Sequence, residues 1–171
     1  MLNTKRMVII ALFIAQATVL NIIEGFISLP IAVPGVKLGL ANIITLLALL
    51  ILGWKDTFLI VTLRCLLAAL YGGNPIGFLF SISGGLLSTL IMVLMWRYLN
   101  RQVNIVTISL VGATAHNIGQ LFAAGLLMQD FRIYVYLPVL LVSALITGYI
   151  VGVVATQTYN VLIKNSKHFS S

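Results

Sequence analysis

Four side chains in this sequence carry chemistry that hydrocarbon tolerates poorly: Arg64 in TFLIVTLRCLLAALY, and His116, Asn117 and Gln120 in GATAHNIGQL. A guanidinium is charged at any physiological pH, and imidazole and amides supply donors and acceptors, so together they suit an anionic or polar ligand. His116 and Gln120 are four residues apart, which places both on one face of a helix, with Asn117 flanking them. The same groups have a second use, because amides and imidazoles tie helices together in many membrane bundles. Arg64 would then pair with Glu24 or with helix carbonyls, since a central arginine costs about 2.5 to 3.5 kcal/mol on insertion scales.

Further polar residues fall at a similar depth. Asn21 and Glu24 are three apart near the end of the first apolar run, and Asn42 and Thr45 repeat that spacing in the second. Lys37, in PGVKLGLAN, either reaches the same region or snorkels to the interface. In FLFSISGGLLS, Ser81 and Ser83 add hydroxyls, while Gly84 and Gly85 permit close helix packing or a kink. Tyr134 and Tyr136 read as an interfacial aromatic belt. Cys65, the single cysteine, lies in an apolar stretch and reads as a small buried residue.

The elements that must position these groups are membrane helices. Only 8% of the 171 residues are charged and 61% are hydrophobic, with a mean hydropathy of +1.14. Apolar runs split at charges, Gly and Pro predict helices over 7–27, 38–52, 57–71, 76–98, 105–128 and 134–163. At about 20 apolar residues per crossing, this is an all-α integral membrane protein with a bundle of about six transmembrane helices in one domain, 1–171. A loop over 28–35 holds Pro30 and Pro34, GWKD and GGNP form turns, and 165–171 form a polar tail. The first apolar run is read as a span because no small-x-small cleavage site followed by a polar region ends it. Alternating sides collects Lys5, Arg6, Lys55, Arg97, Arg101, Lys164 and Lys167 on one face and Lys37 and Arg132 on the other. Both termini are therefore expected in the cytoplasm, and the net charge of +7 reflects topology rather than nucleic-acid binding.

The polar groups thus gather in the outer half, as a binding cavity closed below by apolar packing would require, rather than along a channel. Prenyl or phosphoryl transfer needs several carboxylates for magnesium or water activation, and this chain has only Glu24, Asp56 and Asp130, near different loops. It carries no GxxxxGK[ST] or HExxH motif. We expect no catalytic residue, no cofactor and no metal. Ala11, Ala15 and Thr18 form a small-residue stripe in the first helix, and Gly148 and Gly152 a similar one in the last; each allows another helix to approach closely, within the chain or from a partner.

Taken together, ALFIAQATVLNIIE, PGVKLGLANIITLLALLILGWKD, LRCLLAALYGG, FLFSISGGLLS, GATAHNIGQL and the YLP opening the last helix resemble the Gx transporter family, also called heptaprenyl diphosphate synthase component I, over residues 7–155. Six helices, cytoplasmic termini and the Ala11/Ala15 stripe are similar to the S components of energy-coupling factor (ECF) transporters. That resemblance implies a substrate-binding subunit of an ECF-type importer in the cell membrane. The stripe would dock on a transmembrane coupling subunit driven by two cytoplasmic ATPases, and loop 28–35 would be the lid. Arg64, His116, Asn117, Gln120, Asn42, Lys37, Glu24, Asn21 and Ser81 would line the pocket. Basic and amide groups beside an apolar wall suit an isoprenoid- or quinone-related precursor. The alternatives are a non-catalytic accessory subunit of a polyprenyl diphosphate synthase, or a vitamin-type S component.

Overall fold

The computed structural model describes residues 4–26, 39–72, 75–99 and 102–168. They form helices α1 Thr4–Phe26, α2 Asn42–Ile51, α3 Trp54–Gly72, α4 Pro75–Leu99, α5 Ile105–Met128 and α6 Leu137–His168, with a 3-10 turn at Phe131–Tyr136 before α6. The all-α expectation holds, and α1, α4, α5 and α6 are each long and apolar enough to cross a bilayer. The chain is a multi-pass membrane protein.

The expected second span is corrected. Instead of 38–52, α2 covers 10 residues, about 15 Å of rise, which is half the hydrocarbon thickness. Two glycines bound it. Gly39 has φ +87° and Gly53 φ +89°, a left-handed conformation that an α-helix cannot contain. At the C-terminal end the amides of Leu52 and Gly53 both donate to the Ala48 carbonyl, at 2.8 and 3.2 Å. The GWKD turn therefore shrinks to Gly53, and Trp54, Lys55 and Asp56 open α3. Asp56 sits where the helix dipole favours a carboxylate, and Arg6 of α1 holds it at 2.7 Å.

The sixth helix is also corrected. It starts at Leu137 rather than 134 because residues 131–136 wind as 3-10, with the Asp130 side chain accepting from the Arg132 amide at 2.9 Å. Pro138 then occupies the first turn of α6, where its missing N–H costs nothing. At its other end α6 runs to His168, so residues 165–168 of the expected tail are helical.

Helices α1, α3, α4, α5 and α6 pack in that order as an open arc, and among the described residues the α1 and α6 backbones stay more than 8 Å apart, Cα to Cα. The short α2 lies inside the arc and packs against all five. This explains why Ile44, Leu46, Leu47, Ala48 and Leu49 are all buried, while Ile43 and Leu50 are half-buried and Ile51, at the end of α2, is exposed. Two apolar clusters fill the end of the bundle where α1 begins and α6 ends. One joins Leu46, Leu47 and Leu49 to Met92, Ile108 and Ala155, and the other joins Ala48 to Ile10 and Ile60. A third cluster, Phe80, Leu121, Ala124, Ile133 and Leu140, fills the opposite end between α4, α5 and α6. Polar side chains occupy the level between them.

Glycine contacts set the helix spacings. A methyl on Gly119 of α5 would lie 2.9 Å from the Gly84 Cα of α4, and one on Gly152 of α6 would lie 2.7 Å from the Val106 Cα of α5. The Gly148/Gly152 stripe is thus used inside the chain, against α5. Ala11 and Ala15, by contrast, are exposed. The Tyr134 ring packs over Gly125, and Tyr134 and Tyr136 are half-buried against the Phe80 cluster.

Candidate binding site

Arg64 stands ten residues into α3 and His116 eleven into α5, about 15 Å along each helix and so near mid-membrane. Because α2 is a half-length helix, its first residue, Asn42, reaches this level. Arg64 Nη2 donates to Asn42 Oδ1 at 3.3 Å, with both residues buried. On α5, Gln120 Nε2 and His116 Nε2 are 3.0 Å apart, the one-face pairing expected from their spacing. Glycines draw the two pairs together. A methyl on Gly84 would meet Gln120 Cγ at 2.7 Å and His116 Cε1 at 3.1 Å, while one on the adjacent Gly85 would stand 3.4 Å from Arg64 Nη2. Gly39 closes the ring, since a methyl there would lie 2.8 Å from Asn42 Nδ2 and 3.5 Å from His116 Cδ2.

Glu24 joins from α1. Its carboxylate accepts the backbone amides of Gly39 and of Leu40, the latter at 3.1 Å, so it fastens the end of the segment entering α2. Arg64 takes Asn42 as its hydrogen-bond partner.

Asn117, on the same helix as His116, turns toward α6 and donates to the Leu140 carbonyl at 2.7 Å. Asn21 lies one turn before Glu24 on α1 and Ser81 one turn before Gly85 on α4; both are buried. Ser83 ties α4 to α5 by donating to the Gly119 carbonyl at 2.9 Å. Thr45 is buried in α2, its hydroxyl returned to the Ala41 carbonyl at 3.4 Å. Lys37 and the proposed lid, 28–35, lie outside the described residues.

Sequence reasoning missed Gly39 and Gly119. Gly39 lies between Lys37 and Asn42, and Gly119 between His116 and Gln120, so both were visible in the motifs. Their roles depend on which backbone passes beside them, which spacing does not reveal. Among the described residues, Asn42 Nδ2, Arg64 Nε and Asn117 Oδ1 are buried without a hydrogen-bond partner. Such groups are rare in folded proteins, and Ser88 Oγ and Ser109 Oγ share the condition.

Residues 13–158 match the family described as heptaprenyl diphosphate synthase component I. The chain belongs to that family. Its fold is similar to a solved S component of a bacterial ECF transporter, with a TM-score of 0.59 and 16% identity over 95% of this chain and 97% of that one. No curated protein matches the chain. As a member of the component I family it combines an S-component-like fold with three acids on separate elements: Glu24 on the α2 entry, Asp56 with Arg6, and Asp130 capping the 3-10 turn.

Proposed function

We propose that this component I family member is the substrate-binding S component of an ECF-type importer. It captures a small amphipathic ligand, an isoprenoid- or quinone-related precursor, at the Asn42, Arg64, His116 and Gln120 cluster. The observation that carries this reading is a cluster of buried polar groups at mid-depth, floored by the two apolar clusters around α2, within a fold that matches an S component over nearly its whole length. A ligand would enter from the side opposite the termini, which we place in the cytoplasm. Segment 28–35 would close over it.

Transport in this scheme draws its energy from elsewhere. The exposed Ala11/Ala15 face of α1 would pack on the coupling subunit, and ATP hydrolysis in the partner ATPases would tilt the loaded chain in the membrane. This chain itself would catalyse nothing: each carboxylate already has a structural task, and no two converge to hold magnesium as prenyl transfer requires.

The family description favours one second reading, a non-catalytic membrane subunit that presents a prenyl substrate to a polyprenyl diphosphate synthase. Native mass spectrometry of the protein extracted gently from its own membranes separates the two. A coupling subunit with ATPases and a bound small amphipath supports the importer. An empty chain bound to a prenyl synthase defeats that reading.

A further inference from the structure

Helix α2 brings no cap of its own. The position before it holds Ala41, which has no side-chain oxygen to offer the first amides, a task that usually falls to Ser, Thr, Asp or Asn. At 10 residues α2 is also shorter than the length at which a helix holds together by itself. Its entry is buried, with Ala41 at 1% exposure and Asn42 at 4%, so bulk water does not supply the missing acceptors.

Glu24 supplies acceptors from another helix. Its Oε1 accepts the Gly39 amide and its Oε2 the Leu40 amide, across 15 and 16 residues of sequence. A carboxylate here also suits the positive end of the α2 dipole. The same two residues begin the helix, because the Gly39 carbonyl accepts the Asn42 amide at 2.9 Å and the Leu40 carbonyl accepts the Ile43 amide at 3.0 Å. Gly39 packs tightly on the cluster as well, since a methyl there would stand 2.8 Å from Asn42 Nδ2 and 3.5 Å from His116 Cδ2. Asn42 in turn accepts from Arg64 Nη2. A continuous path of contacts therefore runs from the α1 carboxylate, through the α2 entry, to the α3 guanidinium.

We infer that Glu24 is a positioning residue of the binding site: it caps α2 from α1 and so sets Asn42 against Arg64, and the cap and the Asn42–Arg64 bond open as one unit. This rests on reading the cluster as the substrate site, and it gives Glu24 a task other than ligand contact there. The test observes the Arg64 guanidinium directly, without ligand, in the full chain in lipid nanodiscs. Its N–H signal is identified in heteronuclear NMR spectra by its disappearance in Arg64→Lys, and its exchange with solvent is measured. Glu24→Gln keeps one of the two acceptors and is expected to speed that exchange at least about tenfold, the effect of losing one hydrogen bond to a charged group. In an Asn42→Ala background, where the bond to Arg64 is already gone, the same change should add nothing. Asn104→Ala, which removes the side-chain cap of α5, is expected to lower the melting temperature and leave Arg64 exchange as it was.

Unchanged Arg64 exchange in Glu24→Gln overturns the inference, and so does equal acceleration in Asn104→Ala or a further acceleration in the Asn42→Ala background. Should Glu24→Gln fold poorly, the unaltered chain decides. As temperature rises, the Gly39 and Leu40 amides and the Arg64 guanidinium should lose protection together, and guanidinium protection that outlasts theirs overturns the inference. No ligand or partner enters these measurements, so native mass spectrometry decides the importer reading separately and the two can fail independently.

Discussion

Arg64 is the residue where burial and charge conflict most sharply, and its hydrogen bond to Asn42 shows how the conflict is eased. Arg64→Ala removes a donor to a buried amide and should lower ligand affinity at least about tenfold, a charged hydrogen bond contributing about 1.5 to 3 kcal/mol. Unchanged affinity with a lower melting temperature would reduce Arg64 to a structural tie. Asn117 makes the contrasting case, because its amide N–H is committed to the Leu140 carbonyl. Asn117→Ala is expected to cost about 1 kcal/mol of stability and to change ligand affinity less than Arg64→Ala does, as thermal melts and titrations would show. Glu24 acts on backbone rather than on a side chain. Glu24→Gln should leave one good acceptor where there were two, and hydrogen exchange at the Gly39 and Leu40 amides should speed up.

At the scale of elements, the half-length α2 is what brings an asparagine to mid-membrane. A full span would carry Asn42 past the level of Arg64 and leave the guanidinium facing apolar side chains. The α4 and α5 crossing matters equally, because Gly84 and Gly119 meet backbone to backbone. Gly119→Val should force the helices apart and cost about 1 to 3 kcal/mol or more, the usual range for overpacking. Gly125→Ala should cost less, since its neighbour is the Tyr134 ring, a side chain that can shift. Melting temperatures of the two variants side by side would check the order. The α2 boundary was misread because LGLANIITLLALL is apolar without interruption. Gly39 reads as an ordinary small residue until its positive φ is seen.

Seen as a whole, the molecule is an arc around a buried short helix, with α1 at one edge. The outward face of α1 carries Ala11 and Ala15, whereas Ala17 on its inward face is fully buried. Ala15→Trp is therefore expected to change the stability of the isolated chain by no more than about 0.5 kcal/mol, as is usual for surface changes and as a thermal melt would show, while abolishing co-purification of a coupling subunit. Ala17→Trp should instead destabilise the chain itself. Equal loss of stability in both variants would mean that the small-residue stripe is part of this chain's own packing.

The sequence by itself determined the solvent, the class of fold and most helix limits, because apolar run length and the cost of charge in lipid act residue by residue. It also singled out Arg64, His116, Gln120 and Asn42, since polar groups stand out against a background that is 61% hydrophobic. Only the tertiary structure decided which of them meet. Asn42 pairs with Arg64 because α2 is short and central, Asn117 turns to α6 because helix rotation points it there, and Glu24 serves the α2 entry because α1 lies beside it. Those outcomes depend on glycines whose lack of a side chain is felt only by the neighbour that packs into the space.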